Sequence, residues 1–123
     1  MSTGNVARRL IELCRAGQFQ RALDELYATD ARSIELDGGD QSPLGSVQGL
    51  DAIRAKGKQF EARLEKIHSI AVSDPLIADP FFTIAMRFDA TYKNGGRKAM
   101  NEVCLYEVRN DKIIREQFFY EAG

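Results

Sequence analysis

The spacing of apolar residues changes character about halfway along the chain. Val6, Leu10, Leu13 and Cys14 recur at helical spacing after a Ser/Thr/Asn-containing start, and Gly17 follows as a C-terminal stop. Phe19, Ala22, Leu23 and Leu26 repeat the stripe, so a second short helix turns back directly and completes a helical hairpin. Ala31 to Leu36 reads as a short strand, and Asp37 to Gly49 has the Gly, Pro, Ser and Asp density of a loop. Ile53, Gly57, Phe60 and Leu64 mark a third helix, with Asp51 in its first turn. Gly57 on that stripe costs a helix roughly 1 kcal/mol relative to Ala, which points to something approaching closely there.

From His68 onward the period is two. HSIAVS, FFTIAMRFDATY, KAMNEVCLYEV and KIIREQFFY are predicted as four consecutive antiparallel strands, with turns at Asp79-Pro80, Asn94-Gly95-Gly96 and Asn110-Asp111. The order ααβαββββ defines an α+β fold. It is one domain over residues 1–123, with a curved, mostly antiparallel sheet packing three helices on one face.

Which face is inside depends on the turns. Pairing Lys93 with Lys98 and Arg109 with Lys112 sets Phe88 opposite Val103, and Val103 opposite Phe118. One face then collects Ile84, Met86, Phe88, Ala90, Val103, Leu105, Ile114, Phe118 and Tyr120. The other collects Thr83, Arg87, Asp89, Thr91, Lys98, Glu102, Arg115 and Gln117. On the apolar face only Asn101, Glu116 and the Tyr120 hydroxyl are polar. Desolvating a carboxylate costs several kcal/mol unless something compensates, roughly the range for buried charges, so Glu116 is the residue to explain.

Charge and composition narrow the function. Lys plus Arg number 17 against 18 Asp plus Glu, a net charge of -1, so no basic field exists to hold nucleic acid or an anionic membrane surface. No apolar run reaches the ~18 residues of a membrane span, and the expectation is a soluble, cytoplasmic protein. Cys14 and Cys104 do not define a disulfide framework and are expected to be small buried hydrophobes. A single histidine and two separated cysteines supply no zinc-type spacing, and no HExxH, CxxC or glycine-rich phosphate loop occurs; neither metal nor other cofactor is expected.

The element order, together with LYATDARSIE (Leu26 to Glu35), GLDAI before the third helix and LYEVRNDKIIREQFFY at the end, resembles the NTF2-like superfamily and, more closely, its SnoaL-like branch. The resemblance spans nearly the whole chain. It implies a cone in which the sheet wraps around the helices, an apolar pocket between them, and a homodimer formed through the outer sheet face. Fold alone does not give function, so each family chemistry is tested residue by residue. In the ketosteroid isomerases, the proton-shuttling aspartate matches Glu35 and a pocket tyrosine matches Tyr27. The oxyanion-hole tyrosine falls on Leu10, its partner acid near Val103 and a third-helix tyrosine on Gly57, so that activity is not expected. For the limonene epoxide hydrolases the nearest matches are Arg87, Asp89 and Glu121, which the register above places on the outer face. A one-residue slip would bring them inside.

The resulting expectation is a small hydrophobic molecule held in an apolar pocket. Its chemistry would be cofactor-independent proton transfer of the isomerase, cyclase or dehydratase type, with Glu35 or Glu116 as base and His68 or Tyr120 as acid or orienter. Met86, Phe88 and Phe118 would wall the pocket, with Tyr27, Gly57, Phe60, Ile84, Asn101 and Val103 beside them. A structural reading stands next to it: Glu116 pairs with a basic side chain, Glu35 accepts backbone hydrogen bonds, His68 is hydrogen-bonded at a strand start, and the aromatics fill the core. A non-catalytic binding module, and a sheet face that recruits a protein partner, complete the alternatives.

Overall fold

In the computed structural model, which describes residues 2–35 and 45–121, the helical hairpin forms from the expected stripes. Helix α1 (Thr3–Arg15) is capped by Ser2, whose hydroxyl accepts from the Asn5 N–H at 3.1 Å, and it buries Val6, Leu10, Leu13 and Cys14. It ends at Gly17, whose φ of 71° lets the Gln18 N–H turn back to the Leu13 carbonyl at 2.9 Å. Helix α2 (Phe19–Leu26) buries Ala22, Leu23 and Leu26 against it.

Strand β1 (Tyr27–Ile34) follows without a break. Leu36, the last residue of the expected first strand, and Asp37 to Leu44 of the expected loop lie outside the described residues. The chain then gives a two-residue strand β2 (Val47–Gln48) and helix α3 (Leu50–Ala62). Leu64, expected on the helical stripe, instead opens strand β3 (Leu64–Val72). A short β4 (Leu76–Ala78), β5 (Phe81–Tyr92), β6 (Gly96–Arg109) and β7 (Lys112–Tyr120) complete the order. Among the described residues the sheet runs β2-β1-β7-β6-β5-β3, with β4 on β5. All neighbours are antiparallel except β1 and β7, which are parallel. This is the expected α+β cone, a curved mixed sheet wrapped around three helices.

Two departures from the expected register decide which side chains face inward. The β5–β6 loop has three residues, Lys93 to Gly95, and Gly96 takes the left-handed conformation at φ 71°, so Tyr92 pairs with Gly96 rather than Lys93 with Lys98. Phe88 therefore faces Met100, and β6 turns Glu102, Cys104, Tyr106 and Val108 inward while Asn101, Val103 and Leu105 turn outward. The next turn is the two-residue one expected: Asn110 and Asp111, at φ 51° and 65°, join Arg109 to its partner Lys112. A bulge then leaves Ile114 as an extra residue, because Val108 pairs with Ile113 but Glu107 with Arg115. Ile113, not Ile114, is the fully buried residue, and beyond the bulge Glu116, Phe118 and Tyr120 pair with the inward Tyr106, Cys104 and Glu102.

The core lies between this concave face and the helices. Phe82 and Tyr106 stack with ring centroids 4.8 Å apart, and both are essentially sealed from solvent. Burying each such side chain contributes about 1.5–3 kcal/mol, enough for the sheet to hold α1 and α2 without disulfides. Cys14 and Cys104 are buried free thiols in that core, as expected.

Candidate functional site

The parallel pairing of β1 and β7 sets Ser33 beside Glu116. Glu116 is only 6% exposed, and the Tyr27 hydroxyl, from the start of β1, donates to its Oε1. Burial raises the Glu116 pKa; hydrogen bonds from Tyr27 and Ser33 and the charge of Lys56 oppose that rise. Burial and the same carboxylate push the Tyr27 phenol well above its ordinary value, so it remains a donor.

A second array adjoins the first. The Lys56 ammonium on α3 lies 2.6 Å from Glu35 Oε1 and donates to Ser33 Oγ at 2.9 Å. The Lys56 and Glu35 side chains are 10% and 8% exposed, so this is an interior ion pair. Glu35 Oε2 accepts from the Tyr120 hydroxyl at 2.9 Å. Burial, then that hydrogen bond, pushes Tyr120 up to about 12. Lys56 also stands 5.5 Å from the Phe118 ring centroid, within cation–π range. Through Ser33 the two arrays form one polar strip set into an apolar wall.

Glu102, expected on the outer face, is brought to this strip by the three-residue loop. It sits between Met86 on β5 and Tyr120 on β7. Burial, then the charge of Glu35, pushes its pKa up to about 7, while the Cys104 thiol and Lys56 pull the other way. A carboxyl in that range holds and releases a proton near neutrality.

The other expected site residues divide. Met86, Phe88 and Ile84 are buried on the concave face, and Phe60 packs on Phe88 at 5.6 Å and on Tyr92 at 6.1 Å. Gly57 does meet a close neighbour: a Cβ there would lie 2.8 Å from Gln20 Nε2, and both polar atoms of that buried amide have no hydrogen-bond partner among the described residues. Asn101 and Val103 are corrections, since the altered β6 register turns both outward, with Val103 47% exposed. His68 is another. A register shift between Ile67 and Ser69 makes it the extra residue of a bulge, and its Nε2 lies 2.7 Å from the hydroxyl of Thr91, the outward neighbour of buried Ala90. Arg87 and Glu121 are exposed, and Asp89 is held by Arg97 through two hydrogen bonds of 3.1 and 3.0 Å.

Lys56, Ser33 and Glu102 are the site residues not singled out in the sequence. Lys56 carries a signal, because it lies three residues after Ile53 on the stripe that continues to Gly57 and Phe60. A lysine there has to snorkel or find a carboxylate. Ser33 shares the strand parity of buried Ala31, but nothing in its type marks it. Glu102 depends on loop length alone.

Among the described residues, no group of three or more His, Cys, Asp or Glu side chains is arranged to hold a metal ion, and no helix is long and apolar enough to cross a membrane. A family model described as the SnoaL-like domain matches residues 1–120. The crystal structure of a proposed SnoaL-like polyketide cyclase from Mesorhizobium loti superposes with a TM-score of 0.88 at 32% identity, over 98% of this chain and 100% of that one. An NTF2-like protein of unknown function from Burkholderia pseudomallei gives 0.80 at 18% identity, over 98% and 92%. A protein with a ketosteroid isomerase-like fold from Catenulispora acidiphila, in complex with trimethylamine, gives 0.70 at 19%, over 89% and 80%. The last two show the fold alone. No curated protein matches the chain. The chain belongs to the SnoaL-like family.

Proposed function

We propose that the interior of the cone binds a small, largely apolar molecule and moves a proton on it without a cofactor, as an isomerase, cyclase or dehydratase does. The observation that carries this reading is the polar strip itself. Three carboxylates, a lysine and two tyrosine hydroxyls gather on one side of a buried interior whose apolar side chains include Met86, Phe88 and Phe118. Apolar walls strengthen every charge interaction inside them, and carboxyls in such surroundings are suited to proton transfer. The relative from C. acidiphila holds trimethylamine, so this fold accommodates small organic molecules. The test is deuterium exchange at the carbon next to the carbonyl of unsaturated ketones in heavy water. Exchange that is lost in Glu35→Gln or Glu116→Gln supports catalysis; binding with no exchange by the parent leaves a binding module.

That second reading has its own support, since Glu35 and Glu116 both have their hydrogen-bonding needs met within the protein, as structural networks do. The outer sheet face supports a homodimer. Val103 and Phe119 pair across β6 and β7 there, 47% and 41% exposed, beside a groove of about 500 Å³ that Ala71, Ala85 and Arg87 help to line.

A further inference from the structure

Glu102 differs from the other two interior carboxylates in what holds it. Glu35 is fixed by Lys56 and Tyr120, and Glu116 by Tyr27 and Ser33. Among the described residues no cation pairs with Glu102. The titratable groups around it are Glu35 just after β1, Lys56 from α3, Cys104 on its own strand, Glu116 and Tyr120 from β7, Tyr92 from β5 and Cys14 from α1. Lys56 is the one cation among them, and it is already committed to Glu35.

We infer that Glu102 is the group that exchanges a proton with a molecule bound in the cone, while Lys56, Glu35 and Tyr120 act as a fixed electrostatic frame. This rests on the reading that the interior binds a small molecule. Protonating Glu35 would strand Lys56 as an unpaired interior ammonium, at a cost of several kcal/mol, roughly that of breaking a buried pair. Glu116 lies behind Tyr27 and Ser33 and is more deeply buried. Glu102 gains or loses a proton without breaking an ion pair, and its pKa of about 7 matches both directions of transfer. The step balances on a substrate with a C–H bond next to a carbonyl. That bond breaks, an O–H bond forms on Glu102, and the electron pair moves to the carbonyl oxygen. Return of the proton to another carbon of the conjugated system restores the carboxylate.

The experiment uses the full chain, as wild type, Glu102→Gln and Glu102→Asp, with a nitrobenzisoxazole as probe. A base removes its ring proton, the N–O bond opens, and an absorbing cyanophenolate forms. Turnover is read by absorbance, and occupancy by NMR shifts of Met86 and Phe118; the wild-type carboxyls are titrated in parallel. The expected result is turnover that rises with pH through about 7, a Glu102 titration with that midpoint, and a loss of about a hundredfold in Glu102→Gln with binding shifts retained. Glu102→Asp should keep part of the rate on a displaced pH profile. Unchanged turnover in Glu102→Gln, a Glu102 midpoint in the ordinary carboxylate range, or occupancy without wild-type turnover overturns the assignment while leaving the binding reading intact. Absence of shifts at Met86 and Phe118 sinks both.

Discussion

The Lys56 ammonium lies 2.6 Å from Glu35 Oε1 and 2.9 Å from Ser33 Oγ, so one side chain on α3 ties the helix to the end of β1. Because Ser33 also bonds Glu116, the same lysine is one hydroxyl away from the most deeply buried carboxylate among the described residues. The polar strip is thus a connected network rather than separate contacts.

Removing one member should therefore cost more than removing a pair. Lys56→Met leaves Glu35 interior and without its cation, and should destabilise the protein by about 3 kcal/mol. The double variant Lys56→Met with Glu35→Gln should recover much of that, because no unpaired charge remains. Urea unfolding of the two single variants and the double closes the cycle.

Stability should depend on Glu102 in one direction only. Its folded pKa, about 7, lies above the ordinary carboxyl value of 4.5, so its contribution is full below about pH 4.5 and is lost as pH rises through about 7. Glu102→Gln should match wild type near pH 4 and exceed it by about 1–3 kcal/mol near pH 8. Denaturation midpoints across that range read the difference.

The Gln20 amide is buried against Gly57, and neither polar atom has a partner among the described residues. Gln20→Met keeps the length of the side chain and removes the desolvated amide, and should raise stability by about 1 kcal/mol. The thermal midpoint provides the readout.

On the outer face, Val103→Lys places an ammonium in the centre of the exposed apolar strip beside Phe119. If that strip is the dimer contact, the variant should sediment as a monomer at concentrations where the wild type is dimeric, with an unchanged helical and sheet spectrum.

The helices, the four long strands β3, β5, β6 and β7 and the Arg109–Lys112 turn were legible because each follows from local chemistry: stripes of period 3.6, alternation of period two, and an Asn-Asp pair suited to positive φ; the short β2 and β4 carry no such pattern and were not expected. The inward faces were less so. Asn94-Gly95-Gly96 offers more than one glycine for the left-handed position, and the use of Gly96 moves β6 by an odd number of residues. That brings Glu102 in and sends Asn101 and Val103 out. The bulge at Ile114 then changes the parity of β7 a second time, so Glu116, Phe118 and Tyr120 point inward as expected for a reason the expected pairing does not contain. The identity of the partners, Lys56 above all, required the packing of α3 on β1, a long-range contact that periodicity does not encode.

If the cone interior is the small-molecule site, a bound molecule has to touch the apolar side chains of the concave face. Titrating a neutral aromatic ketone into the labelled protein and following the methyl and aromatic signals by NMR tests it most directly. Saturable shifts at Phe88, Phe118 and Tyr120 with Val103 and Phe119 unmoved are expected; shifts confined to Val103 and Phe119, or none at any concentration, would contradict an interior site.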